Sequence, residues 1–101
     1  FRFIKQLGVS HFVYPSATHS RFEHCIGVSH VAGVLARALK ERQPELKITD
    51  KDVLCVELAG LCHDLGHGPF SHLWEEFMHR AKPEARWKVF CLVFVIKKMN
   101  K

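Results

Sequence analysis

The stretch from residue 59 to residue 72 constrains the fold most strongly, because an apolar helical run ends there in a histidine–aspartate pair. Adjacent His63 and Asp64 offer an imidazole nitrogen and a carboxylate oxygen, which are both ligands for divalent metal ions. Gly66 and Gly68 follow, and glycine permits backbone conformations that are closed to other residues. A polar helix terminus would explain one histidine, but not the pattern His-Asp-x-x-His-x-x-x-x-His around two glycines. The stretch therefore predicts a metal or catalytic site at the end of a helix.

Length and composition place the chain among folded proteins. Its 101 residues make one small domain or part of one, and 48% hydrophobic with 25% charged residues excludes a disordered class. The net charge of +5 and eight histidines favour an anionic partner such as phosphate, nucleotide or nucleic acid, although a merely soluble basic surface explains the charge equally well. The longest apolar run, residues 89–96, is too short to cross a bilayer as a helix, so no membrane partner is expected. The chain begins with Phe1 instead of Met and shows no signal peptide, which indicates a fragment.

The cysteines indicate an intracellular protein. None of the four belongs to a C-x-x-C pair, and three lie within apolar helical patterns, as expected for reduced, buried thiols. They are Cys25, Cys55, Cys62 and Cys91. A zinc site built from the pairs His24–Cys25 and Cys62–His63 is a weaker alternative, because neighbours on a helix point about 100° apart.

Capping signals predict an all-α fold with two long helices. Ser20-Arg21-Phe22-Glu23 is a capping box that starts a helix over about residues 21–42. A second capping signal at Thr49 starts a helix over about residues 50–63, which delivers the histidine–aspartate pair at its end. Apolar positions on more than one stripe predict that the first helix is buried over much of its surface. Its internal glycines, Gly27 and Gly33, predict close approach by another element.

The flanking segments carry weaker signals. Residues 1–7 could close a preceding helix that stops at Gly8, and residues 11–14 are a short extended candidate. A third helix is expected from Pro69 or Ser71 to Arg80. The apolar tail at residues 87–96 cannot be assigned to strand or helix by periodicity.

A helix-packing argument brings a third ligand to the histidine–aspartate pair. Arg21 and His24 lie three residues apart and share a helix face. Antiparallel packing of helices joined by a short connection places the start of the first helix beside the end of the second. His24 then meets His63 and Asp64, a set that suits a first-row divalent ion with open positions for water or substrate.

These residues resemble a known family. His24 followed by His63-Asp64 is similar to the H…HD…D signature of the HD-domain metal-dependent phosphohydrolases. Over about residues 2–87 the chain also resembles the deoxynucleoside triphosphate triphosphohydrolases that pair a sterile-alpha-motif domain with an HD domain. The matching segments are Ile4–Gly8, Arg21–His24, Gln43–Leu46, Asp52–Val56 and residues 59–72.

The resemblance implies an architecture and an activity. It implies a partial HD-domain helical bundle at residues 1–87 and a divergent apolar and basic tail at residues 88–101. It further implies cleavage of a dNTP to a deoxynucleoside and inorganic triphosphate, nucleotide-dependent assembly into tetramers and a nuclear location. Single-stranded nucleic acid is a further candidate partner.

The resemblance also implies roles for individual residues around one divalent ion of Fe, Zn, Mn or Mg. Its ligands would include His24, His63 and Asp64. Arg21 would bind phosphate, and its planar fork matches phosphate oxygens.

Other residues would serve the leaving group, the sugar and a regulatory nucleotide. His67 and His72 would contact the phosphates and protonate the leaving group, with Glu75 as the acidic partner of His72. Gln6 and Leu7 would face the deoxyribose. A regulatory GTP or dNTP site would include the residues Arg2, Val13 and Tyr14.

The chain also departs from the family pattern. The last aspartate of the signature should come from a later helix, and the resemblance fails after Trp87, where another active-site histidine is expected. We therefore expect these 101 residues alone to hydrolyse dGTP little or not at all, to expose apolar surface, and to self-associate. The alternatives to a triphosphohydrolase are a catalytically impaired module that binds nucleotide, nucleic acid or a partner, an HD-type nucleotide phosphodiesterase, and a purely structural helical domain.

Overall fold

The computed structural model describes residues 1–68, 70 and 72–84, and this part of the chain is helical. It contains the helices α1 (Arg21–Arg42), α2 (Asp50–Cys62) and α3 (His72–Ala81). Short 3-10 turns occupy Ser10–Phe12 and Pro44–Leu46, and the described residues contain one isolated bridge, between Lys5 and Ser20, but no strand. The all-α prediction is confirmed, whereas the predicted tail at residues 88–101 lies outside the described residues.

Both long helices begin with the predicted capping boxes. The Ser20 side chain accepts a hydrogen bond from the Glu23 amide, and the Glu23 carboxylate accepts one from the Ser20 amide. Thr49 and Asp52 make the same reciprocal pair at the start of α2. Each box satisfies two backbone donors that the first helical turn leaves without partners. This explains why the observed starts agree with the predicted ones; α2 ends at Cys62, one residue earlier than predicted.

Helices α1 and α2 pack closely because small residues lie where they meet. A Cβ atom on Gly60 would lie 3.1 Å from the Cα of Ser29, so the two backbones almost touch there. Within the described part of the chain, the buried apolar side chains are correspondingly few: Cys25, Ala36 and Val53. This pairing is what places the start of α1 beside the end of α2.

The two glycines inside α1 differ. A Cβ on Gly33 would clash with the Glu57 side chain of α2, so the predicted close approach is confirmed there. A Cβ on Gly27 would meet no atom within 4 Å, and the same prediction is wrong for that residue.

The prediction that α1 is buried over much of its surface is also wrong. Helix α2 covers one face, and apolar side chains on other faces remain exposed, including Val31 at 65% and Leu35 at 60%. The predicted exposure of apolar surface is therefore confirmed. Among the described residues, no helix is both long enough and apolar enough to cross a membrane.

The N-terminal segment adopts turns where a helix end and a short extended segment were expected. Residues 11–14 lie in and after a 3-10 turn, in which the amides of Val13 and Tyr14 both donate to the carbonyl of Ser10. An extended segment needs a neighbouring strand for its hydrogen bonds, and the described residues offer none here. The residues before Gly8 form turns and bends instead of a helix, and Gly8 itself has a φ of +57°, with room for no Cβ because one would lie 2.7 Å from the Phe70 ring.

Helix α3 holds its place through the turn that precedes it. It packs against neither α1 nor α2 within the described part of the chain. Its Trp74 ring instead lies so close to Gly68 that a side chain at that position would clash. Among the described residues, α3 is therefore linked to the α1–α2 pair through the turn that contains Gly66 and Gly68, next to the predicted site.

Candidate metal centre

The C-terminal end of α2 orients His63. The helix ends at Cys62, so the carbonyl of Gly60 is free to accept a hydrogen bond from the Nδ1–H of His63, at 2.6 Å. A proton held on Nδ1 leaves the lone pair on Nε2. A histidine that donates its other ring N–H to a carbonyl is the arrangement found in metal sites, because it fixes the ring and raises the basicity of the ligand nitrogen.

Three ligand side chains converge at this point, as predicted from helix packing. His24 Nε2 lies 3.1 Å from His63 Nε2, and His63 Nε2 lies 3.1 Å from Asp64 Oδ1. His24 Nε2 also lies 3.8 Å from Asp64 Oδ2. Ligands about 2.0–2.2 Å from one ion are separated by about 3.0–3.5 Å, depending on coordination geometry. Two imidazoles and one carboxylate at these separations fit a divalent metal, and they leave coordination positions for water or substrate.

Arg21 supports the carboxylate of this set. Its side chain is 2% exposed, its Nη1 donates to Asp64 Oδ2 at 2.9 Å, and its Nη2 donates to the carbonyl of Gly68 at 3.1 Å. The guanidinium gives the buried carboxylate an oppositely charged partner, since a lone charge at such a position would be costly. Arg21 therefore also joins the end of α2 to the turn that contains Gly66 and Gly68 (the glycine turn). The role in phosphate binding stays a prediction.

The pKa shift of His24 suits a metal ligand, and that of Cys25 suits a residue that only packs. Burial is the largest cause that lowers the pKa of His24 below 6.5, against the opposing attraction of Asp64, so the imidazole is neutral at pH 7. Burial raises the pKa of the Cys25 thiol, which keeps it protonated. The alternative zinc site with Cys25 and Cys62 gains no support, because neither cysteine belongs to the metal-binding groups found among the described residues.

A second cluster lies across the glycine turn and consists of His67, His72 and Glu75. His72 and Glu75 are one turn apart on α3, with His72 Nδ1 3.1 Å from Glu75 Oε2. His67 is part of the turn, and its Nδ1 lies 3.7 Å from Glu75 Oε1. The structure thus gives His72 the acidic partner that the resemblance implies, while the catalytic roles of all three residues stay predictions.

The predicted sugar-facing residues lie beside the start of α1. The backbone N–H of Gln6 donates to the carbonyl of His19, and the neighbouring Lys5–Ser20 bridge connects this segment to the cap of α1. Gln6 is half-buried and Leu7 is 49% exposed. Their contact with a deoxyribose stays a prediction.

The predicted regulatory residues lie on the surface. Val13 is 74% and Tyr14 67% exposed, and the guanidinium of Arg2 lies 5.0 Å from the centre of the Phe22 ring. The structure leaves the predicted regulatory role of these residues untested.

The arrangement of two histidines and an aspartate at facing helix ends agrees with a comparison to known families. The model of the HD domain matches residues 21–87. The chain belongs to the HD-domain family. That family binds divalent metals through histidine and aspartate ligands of the kind that converge here.

The curated relatives of this HD-domain chain are much longer proteins. It is 60% identical over 88 residues to the deoxynucleoside triphosphate triphosphohydrolase SAMHD1 of Mus musculus, which covers 86% of the chain and 13% of the mouse protein. The protein of the same name from Gallus gallus is 61% identical over 88 residues, covering 86% of the chain and 14% of the relative. A putative HD domain-containing protein of Acanthamoeba polyphaga mimivirus is 43% identical over 89 residues, covering 76% of the chain and 20% of the viral protein. The HD-domain chain thus spans about a seventh of the length of its animal relatives.

Two supporting contacts of the HD-domain centre were missed by reasoning from the sequence. The carbonyl of Gly60 orients His63, and the guanidinium of Arg21 binds Asp64 from the opposite helix. The sequence carries a signal for the Gly60–His63 contact, because a helix that ends at residue 62 leaves its last carbonyls without partners. It carries no signal for the Arg21–Asp64 contact, because burial of Arg21 depends on how α1, α2 and the glycine turn come together.

Proposed function

We propose that this HD-domain chain is the metal-binding part of a phosphohydrolase that cleaves a dNTP to a deoxynucleoside and inorganic triphosphate. The observation that carries the proposal is the convergence of His24, His63 and Asp64 within ligand distance of one another. The names of the animal relatives, which are 58–61% identical over most of this chain, support the choice of dNTP as substrate.

The residues of the centre have different roles in the proposed reaction. His24, His63 and Asp64 would hold the ion, and Arg21 holds Asp64 in position through its buried hydrogen bond. A bound divalent ion would lower the pKa of a coordinated water and stabilise charge on the phosphate oxygens. The substrate would enter from the open side of the centre, since the His24 and His63 side chains are 32% and 26% exposed.

The second cluster would serve the leaving group. Glu75 accepts from His72 at Nδ1 and so leaves the Nε2 of this 88% exposed ring free to face substrate. A histidine can release a proton near neutral pH, and the departing 5′ oxygen of a deoxynucleoside needs one. His67 would hold charge on the phosphates beside it.

The finer assignments are parts of the same proposal. The ion is one of Fe, Zn, Mn or Mg; the imidazole ligands suit Fe and Zn, whereas the carboxylate and water suit Mn and Mg. Gln6 and Leu7 would face the deoxyribose, and Arg2, Val13 and Tyr14 would contribute to a site for regulatory GTP or dNTP. Assembly into tetramers, a nuclear location and binding of single-stranded nucleic acid are also proposed on the strength of the family resemblance alone.

Triphosphate release from dGTP tests the proposal. The assay compares the 101-residue chain with a chimera extended, after the matched residues, with the corresponding segment of the mouse relative, in Mg²⁺, Mn²⁺ and Fe²⁺. The chimera gains the last aspartate of the signature, and we expect its activity to exceed that of the short chain at least about 10–100-fold, the usual cost of disturbing a metal's surroundings.

Matched substitutions decide the outcome. His63→Ala and Asp64→Ala should abolish the activity of the chimera, whereas His30→Ala changes an exposed histidine of the same helix pair and should not. A chimera without metal-dependent hydrolysis would refute the proposal, and tight dGTP binding without turnover would favour a binding module instead. Strong turnover by the short chain would show that the fourth ligand is not needed.

A further inference from the structure

We propose that His67, His72 and Glu75 form a second divalent-metal site that favours Zn²⁺, separate from the centre at His24, His63 and Asp64. The three side chains place one nitrogen or oxygen atom each within 4.8 Å of one another. Two imidazoles with one glutamate are a ligand set that zinc uses in proteins, with a fourth position left to water.

The state of His67 distinguishes a metal site from an ordinary hydrogen-bonded trio. Its side chain is 7% exposed, and its Nδ1 has no hydrogen-bond partner among the described residues. Burying such a nitrogen without a partner is costly. The nearest candidate, Glu75 Oε1, is 3.7 Å away, which is beyond hydrogen-bond distance. A bound ion would give this buried nitrogen, in its deprotonated form, the partner that the described residues lack.

The separations suit a zinc ion. Ligands about 2.0–2.1 Å from a tetrahedral ion lie about 3.3 Å apart. His67 Nδ1 lies 3.7 Å from Glu75 Oε1 and His72 Nδ1 lies 3.1 Å from Glu75 Oε2, so the two imidazoles approach the two oxygens of one carboxylate at separations on either side of this value. The His72 side chain is 88% exposed, so it has room for the adjustment that a shared ion would require.

The position of the cluster gives zinc a structural effect. His67 belongs to the turn after α2, whereas His72 and Glu75 belong to α3, which packs on neither α1 nor α2 in the described residues. An ion bound by all three would fasten α3 to the turn. Amide hydrogen exchange over residues 72–81 should therefore slow when Zn²⁺ is added.

Zinc at this cluster would also change catalysis. This effect on catalysis rests on the proposed function, but the binding of zinc does not. The same Glu75 carboxylate cannot both hold an ion and orient His72 for proton donation. We expect Zn²⁺ to inhibit triphosphate release even when the first centre is already loaded with another metal.

Isothermal titration without nucleotide tests the binding. The whole 101-residue chain carrying His63→Ala, which disables the first centre, is titrated with Zn²⁺. We expect one equivalent to bind, and we expect affinity to fall at least about tenfold when His72→Ala or Glu75→Gln is added. The control Glu76→Gln makes the same charge change on α3 at a residue paired with Arg80, and it should leave affinity unchanged.

The outcomes separate this site from the first centre. His72 is 88% exposed, so its replacement does not threaten folding, and circular dichroism checks that each variant is helical. No Zn²⁺ bound by the His63→Ala chain, or equal binding after His72→Ala and Glu75→Gln, would overturn the second site. Neither result bears on whether the first centre supports hydrolysis.

Discussion

The contrast between Gly27 and Gly60 yields the sharpest test of how the two helices are held together. Both glycines lie inside helices, and each loses about 1 kcal/mol of helix stability relative to alanine. A Cβ on Gly27 would meet nothing within 4 Å, whereas a Cβ on Gly60 would lie 3.1 Å from Ser29 Cα and 3.2 Å from the Val28 carbonyl oxygen. We therefore expect Gly27→Ala to stabilise the chain and Gly60→Ala to destabilise it.

The expected magnitudes follow from these distances. Gly27→Ala should raise the free energy of unfolding by about 1 kcal/mol, the helix-propensity gain. Gly60→Ala makes the same gain, but the atoms it approaches belong to the backbone of α1 and cannot rotate away, so overpacking of about 1–3 kcal/mol outweighs it. The two variants should differ by about 1–3 kcal/mol in the free energy of unfolding.

Urea unfolding followed by circular dichroism measures this difference, and metal titration gives a second readout. Gly60 also supplies the carbonyl that orients His63, so displacement of α2 should weaken binding of Mn²⁺ or Co²⁺ at the first centre. Gly27→Ala should leave that affinity unchanged. Equal stabilisation by both substitutions would refute the close approach of the helices and, with it, the geometry on which the centre depends.

Three further changes test the surroundings of the first centre. Arg21→Met should cost about 3–5 kcal/mol in urea unfolding because it leaves the Asp64 carboxylate buried without its partner, and a loss below about 1 kcal/mol would contradict that pairing. Burial lowers the pKa of His24, so the contribution of neutral His24 to stability should be complete above pH 6.5 and be lost as the pH falls through the lower pKa of the folded state. In unfolding measured at several pH values, His24→Gln should remove this dependence, and the control His30→Gln should not. The exposed apolar faces of α1 should cause self-association in analytical ultracentrifugation, which Leu35→Lys should reduce; a chain that stays monomeric at high concentration would argue against it.

Local signals were enough to predict the helices and the convergence of the ligands. Ser20 and Thr49 cap their helices by hydrogen bonds to residues three positions later, so the starts can be read from sequence alone. The short connection between α1 and α2 leaves antiparallel packing as the natural arrangement. These two facts suffice to bring His24 to His63.

Properties that depend on the neighbours of a whole surface could not be predicted. The apolar pattern of α1 shows which side chains favour burial, but only the packing shows that α2 covers a single face and leaves Leu35 exposed. Gly27 and Gly33 look alike in sequence, and only the position of Glu57 separates them. Residues 11–14 were interpreted as an extended segment, but they lie in and after a 3-10 turn, because β-branched and aromatic residues favour extended structure only where a partner strand exists.

Each capping box fixes the first residue of its helix, and it therefore fixes how far along the helix the metal ligand lies. His63 stands fourteen positions after Thr49, and His24 stands four positions after Ser20. One residue inserted within α2 would turn everything beyond it by about 100° and advance it by about 1.5 Å, carrying His63 away from His24. The loop between the helices carries no such constraint. In the evolution of this domain we therefore expect insertions and deletions to accumulate at residues 43–48, while the spacing from each cap to its ligand stays constant even where the intervening side chains change.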